Sequence, residues 1–399
     1  MTPTRTVYFL ALLMVLAWAP ATAAPRTPSS DDEVLLRLPY RLAPAARAQQ
    51  ASLAHGALTL SQALQLAHEA IARSRRFGDP RELGLAQAAL APWWSLPAPP
   101  AEVRLLRATL RQSQHDFAAA LADLGPLAQP DPLTPPAVQA QALLTQATVL
   151  QVTGQLDAAR ASCQELASAR FAALGAGVAG TAQVCLQELR SLRGQPQEAE
   201  AALAALAPLA ARDGRSWLAL VRAELAERRG DPIAAQALYR RAVQGPEPAD
   251  VYARAAYADW LLQGRRHSEV LALLPEQDAQ ADALLLRRAI ALGAVQSPQA
   301  PALAQTLAAR FAAARARGDS THVREEARML LDVAGQPAAA LVLAQDNWRR
   351  QKEPADALLL ARAALAAGQP QALAPLRAFV QSTGWADARL VALDRSLRP

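Results

Sequence analysis

Few residues in this chain are spaced for chemistry. The five histidines, His55, His68, His115, His267 and His322, are scattered, and His68-Glu69 lacks the second histidine four positions on that a zinc-protease helix requires. A Gly-x-Ser-x-Gly elbow and a glycine-rich phosphate loop are both absent. Carboxylates pair at Glu325-Glu326 and Asp31-Asp32, but any helix surface offers such pairs, and acid-base work also needs a pocket that shifts their pKa. These residues argue against an enzyme and require neither metal nor cofactor. Cys163 and Cys185 leave two readings open, a disulfide tying one repeat to the next or two small buried side chains, because sequence carries no Cα separation.

The elements that must hold these residues are helices. Alanine, leucine, glutamine and arginine dominate the 399 residues, and aromatics make up only 5%. That mixture lowers the cost of helix and leaves little for strands. The formal charge of +6 is spread along the helices and interleaved with Asp and Glu, which argues against nucleic acid as a partner.

Five copies of one corner punctuate the chain: Gly78-Asp79-Pro80, Gly194-Gln195-Pro196, Gly230-Asp231-Pro232, Gly335-Gln336-Pro337 and Gly368-Gln369-Pro370. Gly can close a helix in the left-handed conformation, and Pro is pre-set for the first turn of the next. Asp between them can cap that helix, with Gln a weaker substitute. Related corners fit between, at His115-Asp116, Gly154-Gln155, Gly264-Arg265 and Gln296-Ser297-Pro298, so the sequence predicts about nine helical pairs. The Pro-rich stretches 96–100 and 129–136 read as loops between repeats.

Small residues seven before and five after the corner recur: Ala108 and Ala120 about His115, with Pro132 closing the unit, Ala147 and Ala159 about Gly154, and Ala223 and Ala235 about Gly230. In this the chain resembles the tetratricopeptide repeat family. Departures stand at Gln187 before Gly194, at Tyr257 and Glu269 about Gly264, and at Arg328 before Gly335. The resemblance implies an all-α fold, a right-handed superhelix of stacked antiparallel helix pairs, with divergent repeats over 58–384 and a cap over 385–399, helical from Asp387 to Leu397. It further implies a concave face lined by the first helix of each pair. Counted from the turn positions, that face includes Glu102, Leu105, Thr109, Gln112, Gln141, Leu144, Thr148, Gln151, Trp217, Leu220, Glu224 and Glu227. Trp93-Trp94 reads as a seal between the first two repeats.

The N-terminus has the three parts of a secretory signal: Arg5, an apolar run from Val7 to Trp18, and Ala21-Thr22-Ala23 as the cleavage site. The run is shorter than the roughly 20 residues that span a bilayer, so residues 1–23 are expected to be removed after Ala23 and the mature chain not to insert stably in a membrane. Residues 24–57 read as a lead and a first helix. The expectation from sequence is a periplasmic or secreted scaffold that binds a protein or peptide of the cell envelope on its concave face. The rival is an accessory subunit, or a helical-toroid enzyme, acting on cell-wall or surface polysaccharide.

Overall fold

Each repeat is made by one left-handed residue between two helices. The computed structural model describes residues 58–208, 214–244, 249–276, 281–319 and 321–398, together with Ser30. The chain divides into a unit Met1–Ala51 and a unit Ser52–Pro399, and the described helices all belong to the second. Residues 1–23, expected to be a signal segment cleaved after Ala23, and apart from Ser30 the lead expected over 24–57, lie outside the described residues.

Nine helix pairs follow in order among the described residues. The first is α1 (Leu60–Phe77) with α2 (Arg81–Ala89), followed by the short α3 (Ala91–Trp94). Then come α4 (Ala101–Ser113) with α5 (Phe117–Ala128), α6 (Pro136–Val152) with α7 (Leu156–Leu166), α8 (Ala176–Leu192) with α9 (Pro196–Leu206), and α10 (Gly214–Arg228) with α11 (Pro232–Val243). The later pairs are α12 (Val251–Gln263) with α13 (His267–Leu273), α14 (Asp282–Ala294) with α15 (Ala300–Ala316), α16 (Val323–Asp332) with α17 (Pro337–Arg350), and α18 (Pro354–Ala366) with α19 (Ala374–Thr383). A short α20 (Ala388–Leu393) and a 3₁₀ turn (Arg395–Leu397) close the chain. No strand occurs among the described residues.

The nine corners carry positive φ at Gly78, His115, Gly154, Gly194, Gly230, Arg265, Gln296, Gly335 and Gly368. Most close by the same bond, in which the N–H after the left-handed residue reaches the carbonyl five back, as in Gln155 to Leu150 at 2.8 Å and Asp231 to Ala226 at 2.9 Å. Asp116 and Asp231 cap the next helix by accepting from Ala119 and Ala234, whereas Gln155, Gln195, Gln336 and Gln369 make no side-chain cap.

The corner geometry accounts for two of the three departures from the repeat pattern. At the sixth corner the left-handed residue is Arg265, not Gly264. Counted from Arg265, the packing positions become Ala258 and Val270, both fully buried. At Gly335 the corner holds one extra residue, since Gln336 N–H reaches back to Leu330, so buried Ala327 takes the place assigned to Arg328. Gln187 is a true departure, half-buried with an unpartnered Oε1. Elsewhere Ala108, Ala120, Ala147, Ala159, Ala223 and Ala235 are all buried where the helices of a pair meet. The cap is not one helix: Asp387 caps α20, and Asp394 interrupts it and caps the 3₁₀ turn through Ser396.

Cys163 and Cys185 lie with Cα atoms 5.9 Å apart and are joined by a disulfide, tying α7 to α8. Trp93 and Trp94 pack, half-buried, against the apolar core of the first pairs. Arg107 donates to the Trp94 carbonyl, and its guanidinium pairs with buried Asp123 at 2.6 Å, so the two tryptophans are part of the stacking between repeats.

The array also coils back on itself. α1 packs against α12, and a Cβ on Gly78 would lie 2.6 Å from that of Ala281. A Cβ on Gly154 would lie 2.6 Å from Lys352 Cδ and 2.9 Å from the Phe379 ring, whereas Gly335 faces open space. Gly154→Ala is therefore expected to combine left-handed strain of about 1–3 kcal/mol with a clash, and Gly335→Ala to carry the strain alone. Urea midpoints should fall further for Gly154→Ala, and equal shifts would contradict the close approach.

Candidate functional site

Where the chain coils back, its inner faces enclose a cavity of about 1060 Å³. One position per repeat recurs in its wall, six residues before the left-handed corner residue. That register places Glu188, Glu224, Asp259, Ile290 and Arg362 on the lining, with Arg328 in the repeat that has the extra residue. Its counterparts in the second and third repeats are Thr109, which is buried and donates to Leu105 O, and Thr148, which is exposed.

Of the twelve residues expected on the concave face, the structure brings Gln151, Glu224 and Glu227 together on the cavity wall. Leu105, Thr109 and Leu220 are buried between helices. Glu102, Gln112 and Leu144 are half-buried, and Gln141, Thr148 and Trp217 are exposed, none of them on the cavity. Glu188, Asp259 and Arg362 were not singled out from the sequence, and Arg328 was named only as a departure from the small-residue pattern. The signal of Glu188 and Arg362 was present, six residues before Gly194 and Gly368 as Thr148 and Glu224 are before their corners, whereas Asp259 and Arg328 fall in register only once the left-handed residue is placed at Arg265 and the extra residue at Gly335 is counted.

The two halves of the wall differ in charge pairing. On repeats six to nine the charges satisfy one another. Asp259 accepts from Arg287 and Arg328, each at 2.6 Å, and Asp332 pairs with Arg328 at 3.6 Å and with Arg362. Arg324 pairs with Glu353 and, at 2.7 Å, with Asp356. Burial works against ionisation of Asp259, but the two guanidiniums hold its carboxyl below the usual range. Asp356 shows the opposite outcome, with burial pushing it up to about 6 against the pull of Arg324.

On repeats three to five the carboxylates have mostly neutral partners. Gln151 Nε2 donates to Glu188 at 2.9 Å, and Tyr252 Oη donates to Glu224 at 2.7 Å. Burial, reinforced by the charges of Glu188 and Glu227, pushes Glu224 up to about 7, and neither the Tyr252 hydroxyl nor Arg228 offsets it. Glu227 is fully engaged, accepting from Tyr239 at 2.6 Å and Gln263 at 2.8 Å and pairing with Arg389 at 2.6 Å. Burial and these carboxylates raise the Tyr239 phenol, so it stays a donor.

This wall can offer acceptors at Glu188 and Glu224 and an accessible Tyr252 ring to an extended ligand. No group of three or more His, Cys, Asp or Glu fit to hold a metal occurs among the described residues, nor is any helix among them long and apolar enough to cross a membrane. The folded pKa of Glu224 lies above its unfolded value, so its ionisation removes stability as pH rises from about 4.5 through about 7. Glu224→Gln should flatten the dependence of stability on pH across that window and leave the variant more stable than the parent at pH 8. Parallel pH profiles in thermal unfolding would show that Glu224 is not held as described.

No family model and no curated protein matches the chain. Among solved structures, the APC/C hetero-tetramer Cut9-Hcn1 is similar at a TM-score of 0.41 and 13% identity, over 89% of this chain and 76% of that one. The P58(IPK) TPR domain is similar at a TM-score of 0.20 and 15% identity, over 78% of this chain and 99% of that one. The described residues form an α-solenoid of nine antiparallel helix pairs, tetratricopeptide-like in the small residues buried before and after its corners.

Proposed function

We propose that the chain is an exported scaffold whose concave face holds an extended segment of another protein, a component of the cell envelope, with no cofactor. The observation that carries this reading is the cavity of about 1060 Å³, lined by one recurring position in each of six successive repeats. A series of side chains at repeat spacing suits a ligand that is itself extended, since each repeat meets a different part of it. Glu188, Glu224 and Tyr252 are its contact points, because they are not locked into ion pairs as Asp259 and Asp332 are. Export is supported by the charged, apolar and small-residue segments of residues 1–23.

A photo-crosslinker at position 252, on the cavity, and another at position 233, where Ile233 is 83% exposed and off the cavity, separate specific from surface contacts. With mature protein and envelope extract, a discrete protein adduct is expected from position 252 and none from position 233. Equal adducts from both positions, or none from either, would sink the scaffold reading.

One observation favours an alternative. Glu224, near pKa 7 in a cavity, has the range of a general acid-base group, as cleavage of a surface polysaccharide would require. Release of reducing sugar from cell-wall polymer, lost at least a hundredfold in Glu224→Gln, would establish that chemistry. No release by the parent chain would remove it.

A further inference from the structure

The corners of repeats two to five meet the C-terminal end of the array along a thin seam. Gln351 Nε2 lies 3.0 Å from His115 Nδ1, the N–H of Lys352 donates to Val152 O at 2.7 Å, and the N–H of Ala386 donates to Leu192 O at 3.0 Å. Arg389 reaches Glu227 at 2.6 Å. Each of these contacts is polar. Leu192 is the one residue of the first five repeats, among the described residues, that joins the apolar cluster of the C-terminal repeats. Stacking between successive repeats, repeats five and six included, rests instead on continuous apolar layers, as from α10 to α12.

Two buried donors are orphaned at this same place. Arg228 gives one bond to Ser191 at 2.7 Å, but its Nε is buried without a partner. The indole N–H of Trp385 is likewise buried and unpartnered, and Trp385 precedes Ala386, which is bonded to the residue after Ser191. Both side chains are more than nine-tenths buried and line the cavity. An unmet buried donor costs free energy in the arrangement that strands it. The closed seam therefore combines few apolar contacts with two unmet donors, the character of elements that open below the cost of global unfolding.

We propose that this seam is a clasp, at which the C-terminal end of the array, repeats eight and nine with α20, parts from the corners of repeats two to five and widens the cavity to admit the segment the scaffold holds. The inference rests on the scaffold reading of the same site and supplies its regulation. Opening frees Arg228 and Trp385 to hydrate or to meet the incoming chain. It breaks two backbone bonds, one side-chain bond and the Glu227–Arg389 pair, together with the close approach of Lys352 and Phe379 to Gly154 and the packing of Leu192, and leaves the stacking of neighbouring repeats whole.

Hydrogen exchange on the full-length mature chain tests this at the Lys352 and Ala386 amides, which donate across the seam. They are expected to exchange together, faster than amides inside α10 and α18. Arg389→Ala should speed both at least tenfold while leaving amides of α4 unchanged, and Glu227→Gln, of nearly the same shape, should do the same. Exchange of the seam amides only with the helix interiors would overturn the clasp, as would uniform acceleration along the array in both variants. If the clasp opens but position 252 captures no envelope protein, the scaffold reading fails alone. If capture occurs while the seam amides stay locked, the clasp fails alone.

Discussion

A helix can be followed at once by an antiparallel partner only if one residue between them adopts the left-handed conformation. That conformation crowds Cβ against the following carbonyl, so glycine fills it most cheaply. Six of the nine corners use glycine, and the other three hold His115, Arg265 and Gln296 at φ between 54° and 60°. Every later feature of this molecule inherits that choice. The corner sets which face of each first helix turns inward, the inward face defines the cavity, and the corners themselves form the edge on which the later repeats rest.

Glycine at Gly78 and Gly154 meets two demands at once. Each takes a positive φ, and each leaves room for side chains from residues far along the chain, Ala281 and Val251 at one and Lys352 and Phe379 at the other. The first demand is local. The second exists only because the array coils back, and a divergent repeat can therefore keep its glycine for a reason outside the repeat.

Much of this was legible in the sequence. The Gly-(Asp or Gln)-Pro corners located the turns, and the small residues about His115, Gly154 and Gly230 located the helix contacts. The site was legible in part. Gln151, Glu224 and Glu227 lie on the cavity because the register that named them is a helical one, whereas Leu105 and Leu220 share the inward stripe but are consumed by packing between neighbouring helices. Asp259 stayed hidden because its corner was counted from Gly264 when Arg265 is the left-handed residue, a one-residue slip that rotates a helix position by about 100°.

By itself the sequence determined what depends on near neighbours along the chain: the helices, the corners and the pairing within each repeat. These follow from backbone sterics and a 3.6-residue period, both local. Only the tertiary structure decided that the inner face closes into a cavity, that Arg389 reaches Glu227 and Gln351 reaches His115, and that Glu224 is pushed to about 7 while Asp259 is held down. Small rotations between successive repeats accumulate along the array, and their sum sets which distant residues meet. Burial and charge at a side chain depend on those meetings, and no single repeat contains them.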